Sequence, residues 1–323
     1  MDDTMMALRA HARGSPEQLV YETAPRPRPG LGEVLVAVHA AAITFAELGW
    51  DLSWTTRDGR DRTPVIPSHE VSGTVVATGA AVTGLHTGDE VYGLIDFDRD
   101  GAAAEFVAVP SEALAAKPAT LSHAEAAALP LSALTAWQAL VDHAGLTAGE
   151  TVLVHGGAGG VGVYVTQLAA DLGATVVATD LPDHARTVRA LGADRFIDVT
   201  REDFDRVVAG VDVVVDTVGG STLARSYPVL RPGGRLVTLG APPDRELAAA
   251  HGVHAMFFVV RPDRTQLGRL AALADAGRLR PVVSSTFPLA DGRAAYAGGT
   301  RPRKPGKTVL IVRSEPGRRQ SID

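Results

Sequence analysis

The chain contains no cysteine, so disulfide bonds, thiolate metal sites and cysteine nucleophiles are excluded throughout its 323 residues. No uncharged apolar run is long enough to cross a bilayer, and Asp2 and Asp3 stand where a signal peptide carries basic residues. The net charge of −6 argues against nucleic acid or an anionic membrane as a partner. We therefore expect a cytoplasmic protein that binds neither.

Glycine is concentrated where a phosphate could bind. A short β-branched run at 151–154 leads into His-Gly-Gly-Ala-Gly-Gly-Val-Gly at 155–162, and apolar residues at helical spacing follow. This order predicts strand, tight turn and helix, with the helix N-terminus facing a pyrophosphate. The predicted cofactor contacts in this turn are Gly156, Gly157, Ala158, Gly159, Gly160, Val161 and Gly162.

Asp180 ends the next predicted strand, where a dinucleotide-binding unit carries the residue that contacts the adenosine ribose. Its carboxylate could accept both ribose hydroxyls of NADH and would repel the 2′-phosphate of NADPH. His184 and Arg186 could serve that phosphate if Asp180 turns away. The residues favour NADH, and the choice between NADH and NADPH stays open.

Two patterns of predicted secondary structure divide the chain, and together they indicate an α/β fold. Residues 1–124 hold short strands between Gly and Pro turns, which favour an antiparallel barrel-like domain, and residues 278–323 return to strands and join it. Residues 125–277 alternate strands and helices and predict a doubly wound six-stranded parallel sheet. Its strands are expected at 151–154, 175–179, 211–216, 235–239 and 255–260. Helices are expected over 41–50, from a capping box at Ser122 to Ala144, and over 263–277.

Eight stretches together resemble the medium-chain dehydrogenase/reductase superfamily, in its zinc-independent branch similar to quinone oxidoreductases. They are 64–73, Gly-Asp-Glu-Val-Tyr-Gly at 88–93, Leu-Thr-Ala-Trp at 134–137, 155–162, Leu-Gly-Ala-Asp at 191–194, Asp-Thr-Val-Gly-Gly at 216–220, Arg-Pro-Gly-Gly-Arg at 231–235 and Gly-Lys at 306–307. The resemblance implies a GroES-like barrel formed by both chain ends, a Rossmann domain between them, and a cleft at their junction. The branch mostly uses NADPH.

The zinc alcohol dehydrogenases of that superfamily hold a catalytic zinc with two cysteines and a histidine. This chain keeps His69 and Glu70, with Thr44 at the first cysteine position and Leu131 near the second. Because a catalytic zinc needs three protein ligands, we expect no metal. His69 and Glu70 either form a hydrogen-bonded pair near the cleft or touch the substrate.

The resemblance implies that Thr44, Glu47 and Thr135 contact the nicotinamide end as catalytic residues, although Thr44 and Glu47 could instead only cap a helix. An apolar slot for a planar substrate is expected from Phe45, Trp50, Trp54, His69 and Phe258, unless these aromatics are core residues. Further expected cofactor contacts are Val218, Gly240 and Phe258. No proton donor stands out, because tryptophan stands where related enoyl-thioester reductases often have tyrosine, so we expect protonation by solvent.

The predicted site residues, without a metal, favour NAD(P)H-dependent reduction of a quinone or of the C=C bond of an α,β-unsaturated carbonyl. The enolate or phenolate that forms can be stabilised by hydrogen bonds alone. The expected substrate is small, apolar and conjugated. An enoyl-thioester reductase of a biosynthetic pathway and a non-catalytic dinucleotide-binding protein are the alternatives. The strand at 255–260 would be the exposed edge of the parallel sheet, so we expect a homodimer joined there.

Overall fold

The computed structural model describes residues 3–56, 58–298 and 304–314, and its strands there form three sheets. The first seven strands are β1 (Thr4–Ala10), β2 (Leu19–Pro25), β3 (Glu33–Ile43), β4 (Glu70–Thr78), β5 (Glu90–Leu94), β6 (Phe106–Pro110) and β7 (Leu114–Ala116). The next six are β8 (Thr151–His155), β9 (Thr175–Asp180), β10 (Arg195–Asp198), β11 (Val211–Asp216), β12 (Leu230–Thr238) and β13 (His254–Phe257). The final two are β14 (Val283–Pro288) and β15 (Lys307–Ile311).

The central sheet has the order β10-β9-β8-β11-β12-β13, and every neighbouring pair in it is parallel. This confirms the predicted six-stranded Rossmann sheet. The sequence did not locate β10, and the expected strand at 255–260 is wrong for its last three residues, because β13 ends at Phe257. Strand order reverses between β8 and β11, so the carboxyl ends of these strands border the crevice where such sheets bind ligands.

The second large sheet follows the path β14-β15-β3-β4-β5-β7, and β6 also pairs with β3. β3 carries alternate valines into the barrel core, with Val34, Val36 and Val38 fully buried. Strand β15 lies antiparallel to β3, with Thr308 opposite Ile43. Both ends of the chain therefore build this GroES-like domain, as predicted.

The helices are short, and local signals explain where several begin. They are α1 (Asp51–Trp54), α2 (His123–Ala127), α3 (Pro130–Trp137), α4 (Gly162–Asp171), α5 (Ala185–Ala190), α6 (Phe204–Val207), α7 (Gly220–Ser226), α8 (Arg245–His251), α9 (Arg264–Asp275) and α10 (Gly292–Ala297). The predicted capping box is present at α2, where Ser122 and Glu125 exchange hydrogen bonds. Asp263 caps α9, and Gly277 follows its end with a φ of 71°.

Two helix predictions need correction. The helix expected over 41–50 is wrong, because β3 continues to Ile43 through pairing with β4 and β15 and is followed by a 3-10 turn, Glu47–Gly49. Tertiary pairing outweighed the helical spacing there. The run expected from Ser122 to Ala144 is divided, since Pro130 begins a second helix and Gln138–His143 forms a π-helical turn.

Two hydrogen bonds join the barrel and the Rossmann domain near the glycine turn. The Tyr92 hydroxyl in β5 donates to the Leu267 carbonyl in α9 at 2.6 Å. The amide of Gly306 donates to the carbonyl of Ala158 in the glycine turn at 3.0 Å. The last strand of the barrel therefore begins against the phosphate-binding turn. Among the described helices, each is too short or too polar to cross a bilayer.

Candidate active site

The glycine turn between β8 and α4 is closed so tightly that a side chain is excluded at Gly156 and Gly162. Gly156 has a φ of 73°, and a Cβ on Gly162 would lie 1.9 Å from the Gly156 carbonyl oxygen. The amides of Gly156 and Gly157 both donate to the carbonyl of Thr179 in β9. Because α4 begins at Gly162, the amides of Val163 and Tyr164 donate to carbonyls of the turn itself, whereas those of Gly160 and Gly162 have no backbone acceptor among the described residues. This geometry fits a dinucleotide pyrophosphate, with Ala158, Gly159, Gly160 and Val161 completing the turn.

Asp180 is fixed against the glycine turn. One carboxylate oxygen accepts the amide of Ala158 at 2.7 Å, and the other accepts the amide of Leu181 at 2.7 Å and pairs with His184 Nδ1 at 2.8 Å. Both carboxylate oxygens are therefore held by groups of the chain, at the end of β9 beside the glycine turn. Arg186 lies farther along α5, on an open groove that it shares with Arg280.

The carboxyl ends of β11 and β12 form the other wall of the cofactor crevice. Asp216 ends β11, and its carboxylate accepts the amides of Val218 and Gly219, which folds the next loop back. Val218 is 58% exposed on that loop. A Cβ on Gly240 would lie 3.8 Å from the Cα of Gly219, so the predicted residues Val218 and Gly240 lie on neighbouring loops.

On the barrel side, Lys307, which was not predicted as a site residue, joins Thr44 and Glu70 in a cluster that faces the glycine turn. Lys307 Nζ lies 2.9 Å from Thr44 Oγ1 and 2.5 Å from Glu70 Oε2, and its side chain is buried. The other Glu70 oxygen accepts the amide of Leu131 at 3.0 Å. A Cβ on Gly160 would lie 3.1 Å from Lys307 Cδ, so the lysine touches both domains. Burial raises the pKa of Glu70, while the Lys307 ammonium opposes that shift.

Glu47 lies behind Thr44 and is only 3% exposed. Its carboxylate accepts the Thr44 amide at 3.0 Å, the Ser68 amide at 3.0 Å and the Tyr296 hydroxyl at 2.6 Å. Burial raises the pKa of Glu47 to about 7, against the lowering effect of these hydrogen bonds. The structure therefore places Glu47 as a support for the Thr44 turn, whereas Thr44 itself is half-buried.

The predicted aromatic slot is only partly assembled. The ring of Phe97 makes edge contacts of 5.1 Å with Trp50 and of 5.1 Å with His69, and Phe97 was not predicted. His69 is buried, and burial lowers its pKa to about 3, so its imidazole is neutral. Trp50, Phe97 and His69 form one aromatic group, which we call the aromatic wall.

Two predicted slot residues belong to the barrel core. Trp54 is 7% exposed and packs in the barrel core, and its indole nitrogen donates to the Leu48 carbonyl at 3.0 Å; its assignment to the slot stays a prediction. Phe45 packs against the same core cluster. Phe258 follows β13, and its ring lies 4.3 Å from that of His143. The structure brings none of these three rings against the aromatic wall in a recorded contact within the described residues.

Thr135 lies in the middle of α3 and is nearly buried. Its hydroxyl donates to the Leu131 carbonyl one helical turn earlier at 2.6 Å, which is a bond within the helix. The neighbouring Ser132 has a buried hydroxyl that finds no hydrogen-bond partner in the described part of the chain, and this hydroxyl would lie 3.8 Å from a Cβ placed on Gly160. Ser132, which was not predicted, is thus a buried polar group directed at the cofactor turn.

The residues at the zinc position of related enzymes do not fit that metal. Thr44 accepts a hydrogen bond from Lys307, the Leu131 side chain is apolar, and the Lys307 amine lies next to both Thr44 and Glu70. A cationic side chain among the donors opposes a divalent cation. Within the described ranges, no group of three His, Asp or Glu side chains is arranged to hold a metal ion.

Known proteins share this combination of a barrel and a dinucleotide-binding domain. Residues 30–119 match the alcohol dehydrogenase GroES-like domain, and residues 191–310 match the zinc-binding dehydrogenase family. A solved structure of the quinone oxidoreductase from Coxiella burnetii superposes with a TM-score of 0.88 at 29% identity, over 96% of this chain and 100% of that one.

Three curated relatives cover most of this chain. The spectinabilin polyketide synthase system protein NorB of Streptomyces orinoci is 36% identical over 93% of the chain, which spans 14% of that protein. The 2-methylene-furan-3-one reductase of Solanum lycopersicum is 37% identical over 76% of the chain, which spans 63% of that protein. The mitochondrial NAD(P)H oxidoreductase RTN4IP1 of Danio rerio is 30% identical over 87% of the chain and 84% of its own length.

The glycine turn, the Rossmann order and the barrel built from both chain ends agree with these matches. The chain belongs to the medium-chain dehydrogenase/reductase superfamily of nicotinamide-dependent oxidoreductases, in its quinone oxidoreductase-like branch.

Proposed function

We propose that the protein reduces the C=C bond of an α,β-unsaturated carbonyl, or a quinone, with NAD(P)H and without zinc. The observation that carries the proposal is the cleft between the glycine turn and the Thr44–Lys307 pair, where hydrogen-bond donors stand in place of metal ligands. The bound dinucleotide supplies the hydride. The protein residues bind the cofactor at the turn and offer polar hydrogens to a developing oxyanion.

The small conjugated substrate fits against Trp50 and Phe97 of the aromatic wall, because flat rings pack well against aromatic edges, while the buried His69 lies behind them. The neutral His69 adds no charge that would repel an apolar ligand. The names of relatives support this substrate class, since they include a 2-methylene-furan-3-one reductase and an alkenal/one oxidoreductase.

The test is oxidation of NADH and NADPH by the purified protein with a panel of quinones, enones and enoyl thioesters, together with metal analysis of the same preparation. We expect turnover of enones or quinones with less than stoichiometric zinc and no loss on treatment with a chelator. Turnover that disappears with the chelator and returns with zinc would contradict the metal-free proposal. Dinucleotide binding without turnover of any acceptor would favour a non-catalytic role.

A second candidate is reduction of an enoyl thioester, and one observation favours it. The polyketide synthase protein NorB matches 93% of this chain. An enoyl thioester carries the same conjugated carbonyl, so the chemistry in the cleft would be unchanged. The enoyl thioesters in the panel separate the two functions by their kcat/KM relative to simple enones.

We propose NADH as the preferred cofactor. The support is Asp180, whose carboxylate is held at the turn by the Ala158 amide and so keeps negative charge near the ribose. An Arabidopsis relative named as NADPH-dependent supports the other choice. In Asp180→Ala, the ratio of kcat/KM for NADH to that for NADPH should fall about tenfold or more. An unchanged ratio would contradict this assignment and leave His184 and Arg186 as the phosphate-binding candidates.

We further propose a homodimer that joins β13 to its copy. β13 ends the sheet path within the described residues, and Phe257 and Val259 beside it are 39% and 51% exposed. A cytoplasmic location stays a prediction.

A further inference from the structure

Among the described residues, the hydroxyl of Thr44 accepts a hydrogen bond but donates none. A threonine hydroxyl can donate one hydrogen bond while its oxygen accepts others. Thr44 Oγ1 accepts from Lys307 Nζ at 2.9 Å, and within the described residues it has no recorded acceptor of its own. Thr44 follows the last residue of β3 and is half-buried, on the side of the barrel that faces the glycine turn. Its hydrogen is therefore available to a ligand in the cleft.

Lys307 is held where it can act on that hydroxyl. Its amine lies between Thr44 Oγ1 and Glu70 Oε2, and Glu70 is in turn fixed by the Leu131 amide. The lysine is 5% exposed and Glu70 is 1% exposed, so water screens this pair weakly. A hydroxyl that accepts a hydrogen bond from a cationic donor becomes a stronger donor itself, because the two bonds polarise one another.

Other polar groups of this region are either engaged by the protein or, like Ser132, buried. The Glu47 carboxylate accepts hydrogen bonds from three donors, and the Thr135 hydroxyl donates to a carbonyl of its own helix. His69 is only 2% exposed. Thr44 thus combines exposure to the cleft, an unallocated hydrogen and a cationic partner.

We propose that the Thr44 hydroxyl donates a hydrogen bond to the substrate carbonyl oxygen, and that Lys307, positioned by Glu70, strengthens this bond. The inference rests on the proposed function. Hydride adds to the β-carbon, the C=C electron pair shifts towards the carbonyl carbon, and the C=O pair moves onto oxygen to give an enolate. The cofactor is oxidised in that step. Solvent then protonates the α-carbon, while the Thr44 proton stays on its oxygen. Thr44 is the catalytic residue and Lys307 is a positioning residue.

The experiment is a double-mutant cycle with Thr44→Val and Lys307→Met on the intact protein, using 4-phenyl-3-buten-2-one as the acceptor. Thr44→Ser and Lys307→Arg test rescue, and Thr286→Val, an exposed strand threonine, is the matched control. The readouts are kcat, KM and the cofactor Kd from quenching of protein fluorescence. Cofactor binding by each variant shows that it is folded.

We expect kcat of Thr44→Val to fall about 100-fold with an unchanged cofactor Kd, as for loss of one oxyanion donor. Lys307→Met should lower kcat in the wild-type background and cause almost no further loss in Thr44→Val, because it acts through that hydroxyl. Thr44→Ser and Lys307→Arg should recover most of kcat, and Thr286→Val should retain it.

The inference is overturned if Thr44→Val keeps kcat within about threefold of the wild type, or if the two losses multiply. It is also overturned if Lys307→Met weakens cofactor binding while kcat is kept, which would make Lys307 a cofactor ligand. These results leave the proposed function intact. A wild type that is inactive with every enone and quinone overturns both.

Discussion

Ionisation of Glu47 should make the protein less stable as the pH rises from 4.5 to 7. Glu47 is buried behind Thr44, and its pKa is raised from 4.5 to about 7. Between these values the unfolded chain has released the proton and the folded chain still holds it. Folding is then coupled to proton uptake, so the free energy of unfolding falls with increasing pH.

The size of this effect follows from the interval between the two pKa values. At about 1.4 kcal/mol per pH unit, the interval from 4.5 to 7 corresponds to a loss of about 3 kcal/mol. The contribution is fully present below pH 4.5 and is lost once the pH passes 7, above which the curve should be flat with respect to this group. Glu47→Gln has no such proton to release, so its unfolding free energy should lack this fall.

The assay is urea unfolding of the wild type and Glu47→Gln at a series of pH values between 5 and 8. Subtraction of the two curves isolates the Glu47 contribution, since all other groups titrate in both proteins. Glu112→Gln, at an exposed position, controls for removal of a carboxylate and should reproduce the wild-type curve. Parallel curves for the wild type and Glu47→Gln would refute the reasoning.

Three further predictions concern the turn, the domain junction and the edge strand. Gly162→Ala should abolish dinucleotide binding in a fluorescence titration, because the new Cβ would lie 1.9 Å from the Gly156 carbonyl oxygen. The control Gly268→Ala, on the exposed face of α9, should bind the dinucleotide normally and gain about 1 kcal/mol of stability. Tyr92→Phe should lower the free energy of unfolding by about 1 kcal/mol through loss of the bond to Leu267, and an unchanged value would mean that this link contributes nothing. Phe257→Asp should convert the proposed dimer into a monomer by light scattering, and a wild type that is already monomeric at micromolar concentration would contradict the dimer.

The cofactor turn was predictable because its signal is local. Glycines between a β-branched run and a helical run need only the backbone of the turn itself, and the contact of Gly162 with Gly156 is of that kind. The parallel sheet was predictable for the same reason, because alternating strands and helices are also a local pattern in the sequence. The weak strand β10, with one fully buried residue in four, gave no comparable signal.

The barrel side of the site was less predictable because distant segments build it. Thr44 and Lys307 meet only because β15 pairs with β3, and spacing along the chain does not record that pairing. The two tryptophans illustrate a different limit. Trp50 and Trp54 lie one helical turn apart, yet one joins the aromatic wall and the other enters the core. Phe97 lies in a loop without periodicity, so no pattern indicated it.

The pairing of β15 with β3 also dictates an order of events during synthesis. The six strands of the Rossmann sheet follow one another in the chain and all precede β15, so that sheet can form before β15 is synthesised. This edge of β3 stays unpaired until then, because its partner β15 is synthesised after the whole Rossmann sheet. The nascent protein therefore carries an incomplete barrel with an open edge beside a finished dinucleotide domain. A bound dinucleotide, by stabilising that finished domain, would favour completion of the fold from the cofactor side.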